Sequence, residues 1–256
     1  INGVVDISDL ERKLKENPNA LVSLMHGNNE IGNLLDIDMV SNLCLDNGAI
    51  FHSDTVQTVG HYSFNLRKLN IHGIVGSAHK FHGPKGIGFL YLNNNHKISS
   101  FIHGGAQERN MRGGTENVYG IVGLSEALDL ATLNYNDHKL HILNLKKRMI
   151  KGLKCRIENI KFNGTSGNLD NSLYTVLNVS IPNIEDQQMF LFNLDINNIY
   201  ASAGSACTSG SDSGSHVLKE IKKHKNHVSI RFSFSKDNTI KEVDYVLDKI
   251  QEIRDV

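Results

Sequence analysis

The residues best suited to chemistry lie at the ends of two consecutive apolar segments. The first, 48–54 (GAIFHSD), ends at Asp54, and the second, 73–80 (GIVGSAHK), ends at Lys80. Both have the composition of short buried strands, and the residues between them suffice for a crossover, so we expect the strands to be parallel. Ligands of open α/β sheets bind at the carboxyl ends of such strands. We therefore expect Asp54 and Lys80 to lie side by side and buried in one crevice.

The side chains around this pair suit a cofactor that forms a Schiff base. Gln57, Ser77 and His79 are expected to point into the same crevice. A lysine amine can bind a carbonyl cofactor covalently, and a carboxylate can keep a pyridine nitrogen protonated so that the ring accepts electrons. The residues alone leave two alternatives open, because Asp54 is also a favourable helix N-cap and His79 also suits a hydrogen-bonded place in the core.

Composition excludes several classes of protein. The 256 residues are 39% hydrophobic and 21% charged, which is ordinary for a globular protein. The 27 basic residues balance the 27 acidic ones, so charge gives no indication of nucleic-acid binding, and no apolar run approaches the roughly 20 residues that span a bilayer. The cysteines, Cys44, Cys155 and Cys207, are too few and too scattered for a disulfide framework or a zinc site, which favours a reducing cytoplasm.

Strand and helix patterns alternate along the chain, which predicts an α/β fold. We expect a mostly parallel sheet in a large domain over residues 1–140, and a smaller α+β domain over 141–256. Stretches of helical spacing at 118–135 and 137–155 are expected to connect them, and the second has a basic face that we expect to be solvated. In the smaller domain we expect strands at 172–181 and 227–235, helices at 185–195 and 216–223, and a final helix capped by Thr239 and Glu242.

Two glycine-rich segments are candidates for an anion site. The order of residues in 83–88 (GPKGIG) fits neither a dinucleotide-binding motif nor a P-loop, and it precedes an apolar strand, so we interpret it as a tight turn. The polar segment 104–117 precedes a helix. Thr115 and the free amides of that helix start are expected to bind an anion, although Thr115 also suits a simple N-cap.

Cys207 lies in a segment, 201–215, whose other residues are small or polar. Nothing there can bury a thiol, so Cys207 is expected to be exposed and mobile, as a nucleophile that moves between sites must be. The alternative is a free surface thiol.

Five motifs in chain order resemble those of the cysteine desulfurases, which are fold-type I pyridoxal-phosphate enzymes of the class V aminotransferase family. The resemblance covers essentially the whole chain, and five motifs in the same order make a chance match improbable. The long segment around Cys207 resembles that of the housekeeping group that supplies iron–sulfur cluster scaffolds. The motifs are MHGNNEIG (25–32), Asp54 and Gln57 with SAHK (77–80), GGAQERNMRGGTEN (104–117), SAGSACTSGS (202–211) and SIRFSFS (229–235).

The resemblance implies that pyridoxal 5′-phosphate is the cofactor, and it assigns a contact to each matching residue. Lys80 holds the cofactor, Asp54 pairs with the pyridine nitrogen, and Gln57 donates to the phenolic oxygen. Ser77 and His79 contact the phosphate, and His79 is also counted among the catalytic residues. By the same resemblance, the residue matching Thr115 reaches across a homodimer interface to the neighbour's cofactor phosphate.

For the substrate, the resemblance implies that Asn29 contacts both the cofactor ring and the substrate carboxylate. Arg231 would hold the same carboxylate, and its planar fork suits bidentate pairing. A plain turn at Asn29 and a structural ion pair at Arg231 are the alternatives. Cys207 would carry the persulfide and could act as a transient ligand of an iron–sulfur cluster.

The expected function is therefore that of a cysteine desulfurase, which converts L-cysteine to L-alanine and passes sulfur as a persulfide to an iron–sulfur scaffold or another acceptor protein. Alternatives are a selenocysteine lyase, another class V enzyme, or a non-catalytic partner in sulfur transfer. The family's N-terminal phosphate loop and stacking ring cannot be located here. Since the chain begins with Ile1 and no signal peptide opens it, we expect a piece of a longer protein.

Overall fold

The computed structural model describes residues 2–94, 96, 98–203, 215–221 and 227–254. Close contacts divide the chain into two compact units. The N-terminal unit comprises Asp6–His26 and Asp36–Tyr135, and the C-terminal unit comprises Ile1–Val5, Gly27–Leu35 and Asn136–Val256. The predicted domain boundary at residue 140 stays a prediction, and nothing in the sequence indicated that Gly27–Leu35 groups with the C-terminal residues.

The N-terminal unit alternates strands and helices, as predicted. Its short segment α3 is irregular, because Glu108 and Arg109 have φ of 46° and 55°, which is left-handed backbone. A 3₁₀ turn, Ala78–Phe81, follows the third strand. The elements are α1 (Ile7–Glu16), β1 (Leu21–Met25), α2 (Ile37–Asp46), β2 (Ile50–Asp54), β3 (Gly73–Ser77), β4 (Gly88–Leu92), α3 (Gln107–Asn110) and α4 (Val118–Leu133).

The sheet of this unit has the order β1-β2-β3-β4. β1, β2 and β3 are parallel, and β4 is antiparallel to β3. The predicted parallel pairing of 48–54 with 73–80 is thus confirmed, with Asp54 opposite Val75 in the register. β2 and β3 therefore end at the same edge of the sheet, which is the edge where Asp54 and Lys80 were predicted to bind a ligand.

Only one face of this sheet is covered by the part of the chain that the structure describes. Phe51 and Ile74, on one face, are 0% and 2% exposed. Because side chains alternate along a strand, Ile50 and Asp54 belong to the opposite face, where Ile50 and Leu90 remain exposed. The expectation of buried strands therefore holds for one face.

The 3₁₀ turn that carries Lys80 is held by an apolar cluster. Ala78 and Phe81 are fully buried in it, together with Val59 and Ala131 of α4. Gly60 packs directly against Phe81. A Cβ at position 60 would lie only 2.6 Å from Cβ of Phe81, and the φ of +79° at this position also favours glycine. This packing fixes the turn on both sides of Lys80.

The C-terminal unit contains a three-stranded antiparallel sheet of order β5-β6-β7. Every residue of the central strand is buried. The predicted strands and helices are present, within a few residues of their predicted ends, and residues 222 and 223 of the helix predicted at 216–223 lie outside the described residues. They are α5 (Tyr135–Arg156), β5 (Lys161–Phe162), β6 (Val176–Pro182), α6 (Gln187–Ile196), α7 (His216–Glu220), β7 (His227–Ser233) and α8 (Ile240–Arg254).

Helices α5 and α8 pack closely at Gly152. A Cβ at this position would lie 2.2 Å from the side chain of Leu247, so the contact requires glycine. Arg148 of α5 forms a two-pronged ion pair with Asp244 of α8, at 2.5 and 2.8 Å. The pair holds the pKa of Asp244 below its usual range, chiefly through the hydrogen bond from Arg148. The predicted cap of α8 is confirmed, since Glu242 N donates to Thr239 Oγ1 and Thr239 N to the Glu242 carboxylate.

In the described ranges, no helix combines the length and the apolar character needed to cross a bilayer. The same residues contain no cluster of three or more acidic, histidine or cysteine side chains able to hold a metal ion. Cys44 is buried and Cys155 is exposed, and both are free thiols.

Lys146 of α5 is fully buried, contrary to the solvated position expected for a lysine. Its amine donates to Ser172 Oγ and to the carbonyl of Leu173, each at 2.7 Å. Burial lowers its pKa to about 7. A neutral amine has two N–H donors, and these two acceptors satisfy both.

We expect Lys146→Met to reduce the pH dependence of stability. The unfolded chain protonates this lysine up to its usual pKa of 10.5, whereas the folded protein releases the proton above about pH 7. The free energy of unfolding should therefore rise between pH 7 and pH 10, by up to about 1.4 kcal/mol per pH unit from this one group. Urea unfolding at several pH values would show a shallower rise in Lys146→Met. Lys147→Met, which replaces the exposed neighbour, should keep the wild-type slope; equal slopes in all three proteins would contradict the assignment.

Candidate active site

Lys80 lies on the 3₁₀ turn just beyond β3 and is exposed. Its carbonyl is in hydrogen-bond contact with His61 Nε2 at 3.0 Å. The next residue but one, His82, ends the turn with a left-handed φ of 67°. Since Asp54 pairs with Val75 within the sheet, Lys80 stands on the turn that follows rather than beside Asp54 in the ladder. The expected burial of both side chains is wrong within the described residues, because each lies at the uncovered end of its strand.

Asp54 is the last residue of β2 and is exposed. Its Oδ1 accepts from the backbone N–H of Val56 at 2.9 Å, so one oxygen shapes the turn. Turns rather than a helix follow it, and the helix N-cap alternative is therefore wrong. The other oxygen of Asp54 accepts no hydrogen bond from the described residues and is thus available for a ligand.

Gln57 is half-buried in the turn after β2. This turn is held in place by Thr55, whose hydroxyl donates to the Val75 carbonyl at 2.6 Å, and by the hydrogen bond from Thr58 N to Thr55 O at 2.8 Å. The turn thereby ties the end of β2 to β3. It places Gln57 in the connection between the strand that carries Asp54 and its neighbour.

Ser77 ends β3, and its hydroxyl is in hydrogen-bond contact with Nδ1 of His79 at 2.8 Å. His79 is exposed, so the alternative of a core histidine is wrong. The contact orients the ring within the turn that carries Lys80, and Nε2 of the ring makes no hydrogen bond to another described residue. A hydroxyl and an imidazole so placed can bind an anion such as a phosphate.

Thr115 is exposed and does not cap α4. Asn117 does so, because its side-chain oxygen accepts from Gly120 N at 3.1 Å. The simple N-cap alternative for Thr115 is thus wrong, and its hydroxyl has no structural role in the helix start. Its predicted contact with a phosphate stays a prediction.

In the C-terminal unit, the two neighbouring asparagines have different roles. Asn28 Oδ1 accepts from the N–H groups of Glu30 and Ile31, at 2.9 and 3.0 Å, so this side chain builds the turn. The side chain of Asn29 makes no hydrogen bond to any residue in the described ranges and is half-buried. The turn is therefore built by Asn28, and Asn29 is the amide available to a ligand.

Arg231 is half-buried on β7, opposite Asn178. Its Nη1 donates to the carbonyl of Asn29 at 2.9 Å, so the structure brings together the two residues predicted to bind the substrate carboxylate. The backbone of Arg231 also forms an isolated bridge with Ser202. Cys207, five positions after Ser202 in the sequence, lies outside the described residues.

The donor set fits pyridoxal 5′-phosphate by its chemistry. The N-terminal unit offers an amine for the aldehyde, a carboxylate for the pyridine nitrogen, and a hydroxyl with an imidazole for the phosphate, on two adjacent strand ends. All of these groups are exposed or half-buried, so a ligand can reach them. They are Lys80, Asp54, Ser77 and His79.

In the C-terminal unit, sequence reasoning missed the residues that support Asn29 and Arg231. Glu30 is 1% exposed, and its carbonyl accepts from Asn178 Nδ2 at 2.9 Å. Its carboxylate accepts from the hydroxyl of Ser215. The only signal in the sequence was that Glu30 directly follows Asn29, since Ser215 is distant in the chain.

Comparison with known proteins gives one family. The family model described as aminotransferase class-V matches residues 1–246. The chain is 41% identical over 253 residues to cysteine desulfurase IscS of Clostridium botulinum strain Hall, and 39% identical to cysteine desulfurase IscS of Dictyoglomus turgidum. Each alignment covers 98% of this chain and 63% of the relative. The chain thus spans less than two thirds of the length of these curated relatives.

Solved structures of similar proteins have the same fold as this chain. A NifS-like protein from Rickettsia africae superposes with a TM-score of 0.88 at 34% identity, over all of this chain and 68% of that one. The apo cysteine desulfurase of Thermococcus onnurineus gives a TM-score of 0.80 at 24% identity, over 99% and 64%, which supports the fold alone. The predicted fold, that of the fold-type I pyridoxal-phosphate enzymes, is confirmed.

Proposed function

The chain belongs to the aminotransferase class-V family, and from this membership we propose that the protein is a cysteine desulfurase that converts L-cysteine to L-alanine and collects the sulfur on Cys207. The observation that carries the proposal is the position of Arg231. Its guanidinium contacts Asn29, and its backbone is bridged to Ser202, in the motif that contains Cys207. The identity to two IscS relatives along nearly the whole chain supports it.

The family depends on pyridoxal 5′-phosphate, which when bound supplies an electron sink for the carbon atoms of an amino acid. Lys80 would hold the cofactor by its amine, and Asp54 by its carboxylate. Ser77 and His79 would hold its phosphate. Gln57 would donate to its phenolic oxygen.

The remaining residues act on the substrate. Arg231 and Asn29 would bind the carboxylate of L-cysteine, and the hydrogen bond between them keeps both in place. The Lys80 amine would move a proton between the carbon atoms of the substrate, a role that suits a residue on a well-packed turn. His79, the neighbour of Lys80 on the same turn, would help to hold the phosphate.

The sulfur-transfer step balances without an external oxidant. The Cys207 thiolate attacks the substrate sulfur, and the bond between that sulfur and the substrate Cβ breaks. The electron pair stays with the carbon, which takes a proton to give L-alanine, while Cys207 becomes a persulfide. The two electrons of the broken bond reduce the carbon, and their loss leaves the sulfur oxidised. L-cysteine and one thiol therefore give L-alanine and one persulfide.

We propose two partners and a location on separate grounds. A homodimer is supported by the apolar side chains that α4 exposes near Thr115, of which Tyr119 is 92% and Val122 63% exposed. An iron–sulfur scaffold or another acceptor would take the persulfide from Cys207, which could act as a transient cluster ligand. A free nucleophilic thiol needs a reducing compartment, which supports the cytoplasm.

The test is the stoichiometry of products in the complete protein loaded with pyridoxal 5′-phosphate. With L-cysteine and a thiol reductant, we expect equal amounts of L-alanine and sulfide over many turnovers. L-selenocysteine run in parallel separates the alternatives, because a selenocysteine lyase would act on it and leave L-cysteine largely unreacted. No product from either substrate would leave a non-catalytic partner in sulfur transfer.

A further inference from the structure

The segment between Ser202 and Ser215 contains Cys207 and is attached at both ends beside the residues proposed to bind substrate. At one end, Ser202 N donates to the carbonyl of Arg231 at 3.1 Å, and Arg231 N donates to the carbonyl of Ser202 at 2.7 Å. At the other end, the hydroxyl of Ser215 donates to the carboxylate of Glu30. Glu30 directly follows Asn29, so both attachments lie next to a proposed substrate ligand.

Within the C-terminal unit, the two attachment points are also linked to each other. The guanidinium of Arg231 reaches the carbonyl of Asn29 at 2.9 Å, and this contact joins the two attachment points. The turn that contains Asn29 and Glu30 is itself held, since Leu173 N donates to the Gly32 carbonyl at 2.7 Å. Each attachment point is therefore hydrogen-bonded to a proposed substrate ligand or to its direct neighbour in the sequence.

Packing alone does not explain a carboxylate at position 30. Glu30 is 1% exposed, and burying a carboxylate costs free energy unless its oxygens are hydrogen-bonded. Its backbone is already satisfied, because its N–H donates to Asn28 Oδ1 and its carbonyl accepts from Asn178 Nδ2, each at 2.9 Å. The side chain is thus left with one described task, which is to accept the hydroxyl proton of Ser215.

The direction of that hydrogen bond is set by a second contact of Ser215. Its oxygen accepts from the N–H of Leu218 at 2.9 Å, which caps α7. The hydroxyl has one proton, and Glu30 is the acceptor for it. The carboxylate therefore fixes the point at which the segment that contains Cys207 rejoins the fold.

We propose that Glu30 is a positioning residue for sulfur transfer, acting through Ser215 to hold one end of the Cys207 segment beside Asn29 and Arg231. The proposal rests on the proposed function and adds a residue to it. Glu30 touches no reacting atom in this scheme. It lowers the number of arrangements from which the Cys207 thiolate must reach the substrate sulfur.

The test uses Glu30→Ala, Ser215→Ala and the double variant of the complete protein, loaded with pyridoxal 5′-phosphate. In a single turnover with L-cysteine, alkylation and mass spectrometry follow the persulfide on Cys207, and the cofactor absorbance gives the dissociation constant for L-cysteine. We expect each single variant to form persulfide about tenfold more slowly, with a dissociation constant within about threefold of wild type. The double variant should be no slower than the singles, because all three lack one and the same contact.

Two control variants separate this role from a general loss of stability. Glu30→Gln keeps a side-chain oxygen as acceptor and should restore most of the rate. Asp186→Ala removes the cap of α6 in the same unit, where Asp186 accepts from Gln188 N and Met189 N, and it should leave the rate unchanged. The proposal is overturned if Glu30→Ala and Ser215→Ala form persulfide as fast as wild type, or if Asp186→Ala is equally slow.

A second measurement does not depend on activity. In the cofactor-free protein, limited proteolysis should cut between residues 203 and 215 severalfold faster in Glu30→Ala and Ser215→Ala than in wild type, and Asp186→Ala should match wild type. Unchanged cleavage in all variants would show that the contact does not hold the segment. If the wild-type protein makes no persulfide from L-cysteine while the cleavage pattern is as expected, the proposed function fails and the attachment by Glu30 stands.

Discussion

Replacing Lys80 by alanine is expected to abolish the covalent attachment of pyridoxal 5′-phosphate and to lower desulfurase turnover on the order of a thousandfold or more. The structure gives the reason. Ala78 and Phe81, which flank His79 and Lys80 in the 3₁₀ turn, are fully buried, so the turn has little freedom to bring another amine to the same place. Borohydride reduction of the loaded protein, followed by peptide mapping, should find the cofactor on the Lys80 peptide in wild type and on no peptide in the variant.

The informative control for this experiment is Lys85→Ala. Lys85 is exposed on the turn that leads into β4, and it is the nearest other lysine in the sequence. We expect the Lys85 variant to keep both the reduced adduct on Lys80 and near-normal turnover. An adduct on Lys85 in wild type, or full attachment in Lys80→Ala, would overturn the assignment of the site.

The part of the fold that local pattern could predict is the part built from neighbouring segments. The apolar runs 48–54 and 73–80 became adjacent parallel strands because a short apolar run followed by a crossover has few other ways to bury itself. The capping of α8 by Thr239 and Glu242 was also predictable, since both residues lie within one turn. These features need no knowledge of distant residues.

Exposure was harder to predict. Asp54 and Lys80 were expected to be buried because the strands before them are apolar, yet whether a strand end is covered depends on which other segments pack there. Thr115 was a plausible cap by residue type, and Asn117, two positions later, caps α4 instead. A shift of two residues at a helix end is within the ordinary uncertainty of such patterns.

The burial of Lys146 could have been predicted from the sequence. Its segment was interpreted as the basic, solvated face of a helix, but helical spacing places Lys146 with Ile142, Met149 and Leu153, all of them buried. The contact between Glu30 and Ser215 is different, because it joins residues 185 positions apart. No periodicity or local motif can indicate such a pair.

Replacing Cys207 by serine is expected to separate sulfur transfer from the binding of cofactor and substrate. A serine hydroxyl has nearly the shape of the thiol but is a poor nucleophile toward sulfur, whereas a thiolate is a good one. The variant should therefore bind pyridoxal 5′-phosphate and L-cysteine as wild type does, with Lys80, Arg231 and Asn29 intact. Persulfide should not form on the protein, and sulfide release should fall on the order of a thousandfold.

Cys155→Ser is the matched control, because Cys155 is an exposed free thiol in the same unit and has no place in the proposed chemistry. The measurements are the cofactor spectrum before and after L-cysteine, mass spectrometry of the alkylated protein, and the rate of sulfide release. We expect Cys155→Ser to match wild type in all three, and Cys207→Ser to match it only in the first. Near-normal sulfide release by Cys207→Ser would reduce Cys207 to a surface thiol, because direct loss of sulfur from the substrate would then suffice, and the lyase alternative would replace the proposed function.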